Sequence, residues 1–184
     1  MANVRTAAYP PRYSRAARIL HWLTVVLVLT TIPAGLIMVE EGLSRPVQDT
    51  LYLYHKNIGP VILLLVVLRL VVRVVSPPPP HPESLSRVQA LVASAVHWLL
   101  YAALIALVVS GMVRVQAGGF PMEIWDPLIG GLLDRNKDLA DAASEFHEIA
   151  KSVLIVLILM HAGAAAMHGL VKRDGIFSRM WPPV

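Results

Sequence analysis

The chain has 184 residues, 56% of them hydrophobic and 15% charged, with a mean hydropathy of +0.62. A soluble domain carries about a quarter charged residues, so the composition excludes an ordinary soluble globule; it also excludes disorder, which needs low hydrophobicity. The absence of cysteine removes disulfides, thiol redox chemistry, iron–sulfur clusters and cysteine-ligated zinc, and the net charge of +4 sits at the ends of apolar runs, as in membrane proteins, rather than forming a nucleic-acid patch.

A membrane-spanning helix needs roughly 20 mostly apolar residues. Four segments qualify, at about 19–39, 51–75, 88–115 and 146–171. The first is too long for a signal-peptide core and carries His21, so it is expected to be a retained span. Pro33 and Gly35 in span one, with Gly59 and Pro60 in span two, suggest local helix packing. The second connection is stiffened by Pro77-Pro78-Pro79-Pro80-His81-Pro82, in which His81 is a solvated loop residue. The third connection, about 116–144, is acidic and contains Gly118-Gly119, Trp125-Asp126-Pro127 and Gly130-Gly131. Asn136 or Asp138 is placed to cap a fourth helix that starts outside the bilayer. The sequence thus predicts an all-α integral membrane protein, a single four-helix bundle over 1–184. Arg5, Arg12, Arg15, Arg18, Arg69, Arg73, Arg87, Lys172, Arg173 and Arg179 fall on one side, against Arg45, Lys56, Arg114, Arg135 and Lys137 on the other. The side richer in Lys and Arg is cytoplasmic, which puts both termini inside.

Six histidines, His21, His55, His97, His147, His161 and His168, lie inside or at the edges of the spans. Ionisable groups there are costly and usually functional. His147 and His161 are 14 residues apart, which places them on one helix face about 21 Å apart in depth. His55 matches the depth of His147 near the outer surface, and His21 matches that of His161 on the inner half. Two imidazoles at one depth from different helices can hold a haem iron from both sides, so the pattern predicts two haems sharing span four. His97 lies at a depth close to His161 and competes for the inner position. Zinc would gather its ligands at one depth, and a proton relay would recruit acids within the spans.

The strings Tyr13–Trp22 (YSRAARILHW), His55–Gly59 (HKNIG), Leu68–Pro77 (LRLVVRVVSP), His97–Tyr101 (HWLLY) and Phe146–Glu148 (FHE) resemble the bacterial cytochrome b561 family, relatives of the cytochrome b subunits of nickel hydrogenases. The stretches His161–His168 and Lys172-Arg173-Asp174, running on to Arg179–Pro182, extend the resemblance over nearly the whole chain. It implies a four-helix membrane cytochrome b with two haems b. The outer ligands fall on His55 and His147 and the inner ones on His21 and His161. With both axial positions filled, electron transfer is outer-sphere. The compact members of the family resemble superoxide:ubiquinone oxidoreductases of the bacterial inner membrane, taking electrons from periplasmic superoxide and delivering them to ubiquinone.

Further candidates follow from position. Lys56 adjoins His55, and Lys151 lies one turn after His147, so both could steer an anion or pair with haem propionates; interfacial snorkelling is the alternative. Arg69 and Arg73, one turn apart, are candidates for inner propionates or plain cytoplasmic anchors. His97, His168 and Arg173 are candidates for the quinone side. An alternative function is a cytochrome b subunit linking a periplasmic enzyme to the quinone pool, its acidic outer loop recognising a basic partner. A third possibility is a non-redox membrane protein with structural histidines.

Overall fold

The computed structural model describes residues 11–82 and 85–182; Arg5, counted above among the cytoplasmic cations, lies outside them. Five α-helices form: α1 (Arg15–Ile37), α2 (Arg45–Val75), α3 (Arg87–Ala117), a single turn α4 (Asp126–Ile129) and α5 (Lys137–Ala166). A wider π-turn, Met167–Lys172, continues α5. Helices α1, α2, α3 and α5 with its π-turn are long and apolar enough to cross a membrane. No strand occurs among the described residues.

The helices run beyond the apolar stretches because caps, not hydropathy, set their ends. Ser14 accepts from Ala17 N at 3.3 Å, and Pro46 occupies the first turn of α2, where its missing N–H costs nothing. Ser86 and Gln89 form a reciprocal capping box on α3. Asn136 Oδ1 accepts from Leu139 N at 3.0 Å, so α5 begins about nine residues before the apolar run and projects polar turns past the hydrocarbon. Arg173, with φ 49°, ends the π-turn in the left-handed conformation that commonly closes a helix.

Helix α1 packs on α2, α2 on α3 and α3 on α5. Among the described residues, α5 does not pack along its length on α1 or α2, and that separation leaves an interior. Val28, Ile62, Val66, Tyr101, Leu104, Val108, Leu154 and Leu157 fill its middle. Outward-facing Leu29, Leu64 and Leu159 are each more than half exposed, as lipid-facing side chains are in a protein without its bilayer.

One end of the bundle is laced together by its C-terminal tail. Arg179 donates to Pro80 O at 2.6 Å and Pro11 O at 3.1 Å. Trp22 Nε1 donates to Met180 O at 3.0 Å, and Arg18 donates to Pro182 O at 2.7 Å. The start of α1, the proline-rich linker and the tail therefore share one face, here the terminal face. The 118–136 loop lies on the opposite, loop face. Because the chain lacks cysteine, topology is directly testable. A membrane-impermeant thiol reagent should label Asp134→Cys on the loop face in intact bacterial spheroplasts, and Ser76→Cys on the terminal face only after lysis. The reverse pattern would invert the orientation that the charge asymmetry predicts.

Candidate functional site

On the loop face, His55 of α2 and His147 of α5 face each other with ring centroids 6.2 Å apart. His55 Nδ1 donates to Thr31 O at 3.0 Å; a carbonyl only accepts, so the proton sits on Nδ1 and Nε2 keeps its lone pair. His147 Nδ1 lies 3.2 Å from Ser110 Oγ. That hydroxyl donates to Leu107 O at 2.9 Å, leaving its lone pair to accept from Nδ1. Both imidazoles are thus fixed in the tautomer that a metal ligand needs, each by a partner on a neighbouring helix. Two glycines make room for the rings. A Cβ on Gly35 would lie 2.5 Å from His55 Cε1, and one on Gly111 would lie 3.1 Å from His147 Cε1.

The pair opens on a cavity of about 680 Å³ lined by His55, His147, Lys56, Arg114, Glu123 and Lys151 among others. This size falls in the usual range for ligand pockets, about 300–1,000 Å³. The two lysines that the sequence offered as anion-steering groups are already paired. Lys56 Nζ donates to Glu123 Oε1 at 2.7 Å and Pro121 O at 2.8 Å, and Lys151 Nζ donates to Glu148 Oε2. Arg114, one turn beyond Gly111, has no hydrogen-bond or ion-pair partner for its guanidinium among the described residues. The loop is pinned over this end by Asn57. Its Nδ2 donates to Glu123 Oε2 at 2.8 Å, its Oδ1 accepts from Ile124 N at 3.1 Å and its O accepts from Trp125 Nε1 at 2.9 Å. Burial opposes ionisation of Glu123, but the hydrogen bonds from Lys56 and Asn57 prevail and hold its carboxyl below the usual range.

Toward the terminal face, three histidines gather. The His161 ring centroid lies 6.2 Å from that of His21 and 5.3 Å from that of His97. Arg69 Nη2 is 3.1 Å from His21 Nδ1. A guanidinium only donates, so Nδ1 accepts here and the ring proton sits on Nε2. For His21 to offer Nε2 to a metal, Arg69 has to turn away. It has reason to do so. Arg69 is half-buried against the Tyr101 ring at 5.2 Å and has no carboxylate within ion-pair distance among the described residues, so an anionic group at this depth would draw it off. Arg73 differs from Arg69 although only one turn separates them: it lies over Trp98 at 5.3 Å, and Trp98 is 55% exposed toward the lipid.

An imidazole nitrogen sits about 2 Å from a first-row metal ion and about 1 Å from its ring centre, so two imidazoles on opposite sides of one ion have centroids about 6 Å apart. His55–His147 and His21–His161 share the same 6.2 Å spacing, and His97–His161 is tighter. No cluster of three or more His, Asp or Glu side chains suited to a bare metal ion occurs among the described residues. The donor set therefore fits axial pairs for a haem. His168 sits on the π-turn, and its Nδ1 meets Asp174 Oδ2 at 2.6 Å. Arg173 is exposed, and its Nε donates to Leu170 O at 3.2 Å.

Sequence reasoning did not find Thr31, Ser110, Gly111, Asn57, Arg114 or Asp174. Asn57 and Asp174 stood inside recognised strings, while a backbone carbonyl such as that of Thr31 leaves no sequence signal. Gly35 was visible but its role as ring clearance was not. If the glycines serve that role, Gly35→Ala should remove about one haem per chain by pigment analysis, leaving the other spectrally intact. Gly111→Ala, whose added atom meets its ring at the longer distance, should cost less.

The model of the prokaryotic cytochrome b561 family matches residues 12–183. Cytochrome b561 homolog 2 of Escherichia coli (strain K12) is 31% identical over 173 residues, covering 93% of this chain and 92% of the relative. The probable superoxide oxidase CybB of Yersinia pestis is 28% identical over 163 residues, 89% of this chain and 92% of that protein. Cytochrome b561 homolog 1 of Escherichia coli (strain K12) is 27% identical, covering 93% of this chain and 97% of its own. With four membrane-spanning helices and opposed histidines between them, the chain belongs to the prokaryotic cytochrome b561 family of haem-binding, membrane-bound electron-transfer proteins.

Proposed function

We propose that this chain is a two-haem superoxide oxidase of the bacterial inner membrane, taking electrons from periplasmic superoxide at the loop face and delivering them to ubiquinone at the terminal face. The observation that carries this reading is the repetition of one histidine spacing, 6.2 Å, at two depths along α5. A relative bearing the name probable superoxide oxidase supports the choice of donor.

His55 and His147 would hold one haem at the loop face, and His21 and His161 would hold the other at the terminal face. When bound, b-type haem supplies reversible one-electron chemistry. The apolar middle layer of Ile62, Val66, Leu104 and Leu154 keeps water out between the two pairs. Arg69, with no carboxylate partner among the described residues, would neutralise a carboxylate of the inner group. Lys56 and Lys151 border the loop-face cavity, but their carboxylate partners cancel most of their field there; of the other two cations lining it, Arg45 is exposed at the rim, and Arg114, half-buried and close enough to act on both His55 and His147, is the one that draws superoxide in. At the other face His168 and His97 hold and hydrogen-bond the quinone, with Arg173 nearby at the membrane surface.

Purified protein supplied with a superoxide generator and a soluble ubiquinone analogue should reduce the quinone, consuming two superoxide ions per quinone. Arg114→Ala should retain its haem but slow the reaction about tenfold at low ionic strength, the deficit shrinking as salt screens the attraction. Protein that holds its haems yet ignores superoxide would overturn this reading and make the chain an electron-transfer subunit for a partner docking on the acidic loop.

A further inference from the structure

We infer that Asp174 positions His168 as the group that hands protons to the quinone, and that water entering by the cleft beside Asp174 replaces those protons. The inference rests on the quinone-reducing role proposed above.

His168 Nδ1 and Asp174 Oδ2 are 2.6 Å apart, with the imidazole 12% and the carboxylate 19% exposed. The second carboxylate oxygen accepts from Ile176 N at 3.2 Å, so both oxygens are fixed. The tail that carries Asp174 is itself clamped. Phe177 sits so close to Gly169 on the π-turn that a Cβ there would lie 3.1 Å from its ring; Phe177 stacks on Trp181, and Trp181 meets Trp22 of α1 edge-on. Asp174 also lines a cleft of about 320 Å³ with Pro11, Pro80, His81 and Arg179. That volume has room for several waters at about 30 Å³ each. The pair thus has one member in contact with water and the other more shielded, at the end of the helix that carries His161.

The other charged or titratable groups around the pair are few. Lys172 lies on the same helix end, and Arg179 and His81 share the cleft. Arg18 of α1 is turned to Pro182 O, and His81 Nε2 meets Ser94 Oγ of α3 at 3.2 Å. Burial works against the Asp174 charge, but the hydrogen bonds from His168 and Ile176 outweigh it and hold the carboxyl below its ordinary range. It is therefore an anion throughout the neutral range and accepts the Nδ1–H of the imidazole beside it.

The chemistry balances. Ubiquinone becomes ubiquinol by taking two electrons and two protons. The electrons come one from each of two superoxide ions, which leave as two molecules of dioxygen. For each proton, an N–H bond of the His168 imidazolium breaks and an O–H bond forms on a quinone oxygen, leaving neutral imidazole with its other N–H still on Asp174. Water in the cleft then restores the lost proton.

The test is Asp174→Asn in the purified haem-loaded protein. Asparagine keeps an oxygen for Ile176 N–H, so haem per chain and the reduced visible spectrum should match the parent. Superoxide-driven reduction of a ubiquinone analogue should fall about tenfold near pH 8 and recover toward the parent rate near pH 6, where abundant solvent protons make up for a poorly positioned imidazole. Asp174→Glu should restore part of the rate. An unchanged rate and pH profile would overturn the inference, as would loss of haem, which would make Asp174 structural. Parent protein that leaves the quinone oxidised would instead sink the proposed function itself, before any variant is compared.

Discussion

An imidazole placed inside a hydrocarbon slab must have both of its nitrogens accounted for, because an unsatisfied polar group there costs several kcal/mol. In this bundle that requirement falls on histidines at two depths, and much of the local structure answers it. At the loop face, Nδ1 of His55 is held by the Thr31 carbonyl and Nδ1 of His147 by Ser110. Glycines at 35 and 111 give the rings clearance. What remains is a pair of Nε2 atoms with no hydrogen-bond partner among the described residues, at a ring spacing that suits one metal ion between them. The separation of α5 from α1 and α2 follows from the same requirement, since helices packed closely there would leave the rings no space.

The two histidine layers are not equivalent, and the difference bears on direction. The loop-face pair is already set in a ligand's tautomer beneath a loop pinned by Asn57 and Glu123. The terminal-face cluster has an extra ring, His97, and a guanidinium donating to His21. Arg69 without a carboxylate partner is a charge waiting for an anion, so ordering of this layer depends on what arrives there. Beyond it lie the groups suited to proton chemistry, the His168–Asp174 pair and the cleft shared by the tail and the proline-rich linker. A cation at the loop-face cavity and a His–Asp pair at the terminal face are the asymmetry that the proposed reaction would need, an anion taken up on one side and a quinol made on the other.

Spans were legible in the sequence because twenty apolar residues have few alternatives. The histidine depths were legible because helical rise is constant. Asn136 and Asp138 both carry side chains able to cap a helix, and of the two it is Asn136 that caps α5. What escaped was whatever depends on approach between distant segments. Lys56 looks like a free cation along the chain, and its carboxylate partner, Glu123, becomes visible only once the loop folds back; the Lys151–Glu148 pair, three residues apart on one helix, was there to be read. Arg69 and Arg73 look equivalent at one turn apart, yet one points to the histidine cluster and the other to a lipid-facing tryptophan. His168 looks like a lone polar group at the end of a helix, yet the tail folds back and gives it an acid, Asp174.

The central claim is that each opposed pair, and not His97, holds one haem. Haem quantification with reduced-minus-oxidised spectra on the parent chain and on His55→Ala, His21→Ala and His97→Ala tests it most directly. The account predicts two haems for the parent, one each for His55→Ala and His21→Ala with different bands lost, and two for His97→Ala. A parent chain with a single haem, or a His97→Ala chain that loses one while His21→Ala keeps both, would contradict it.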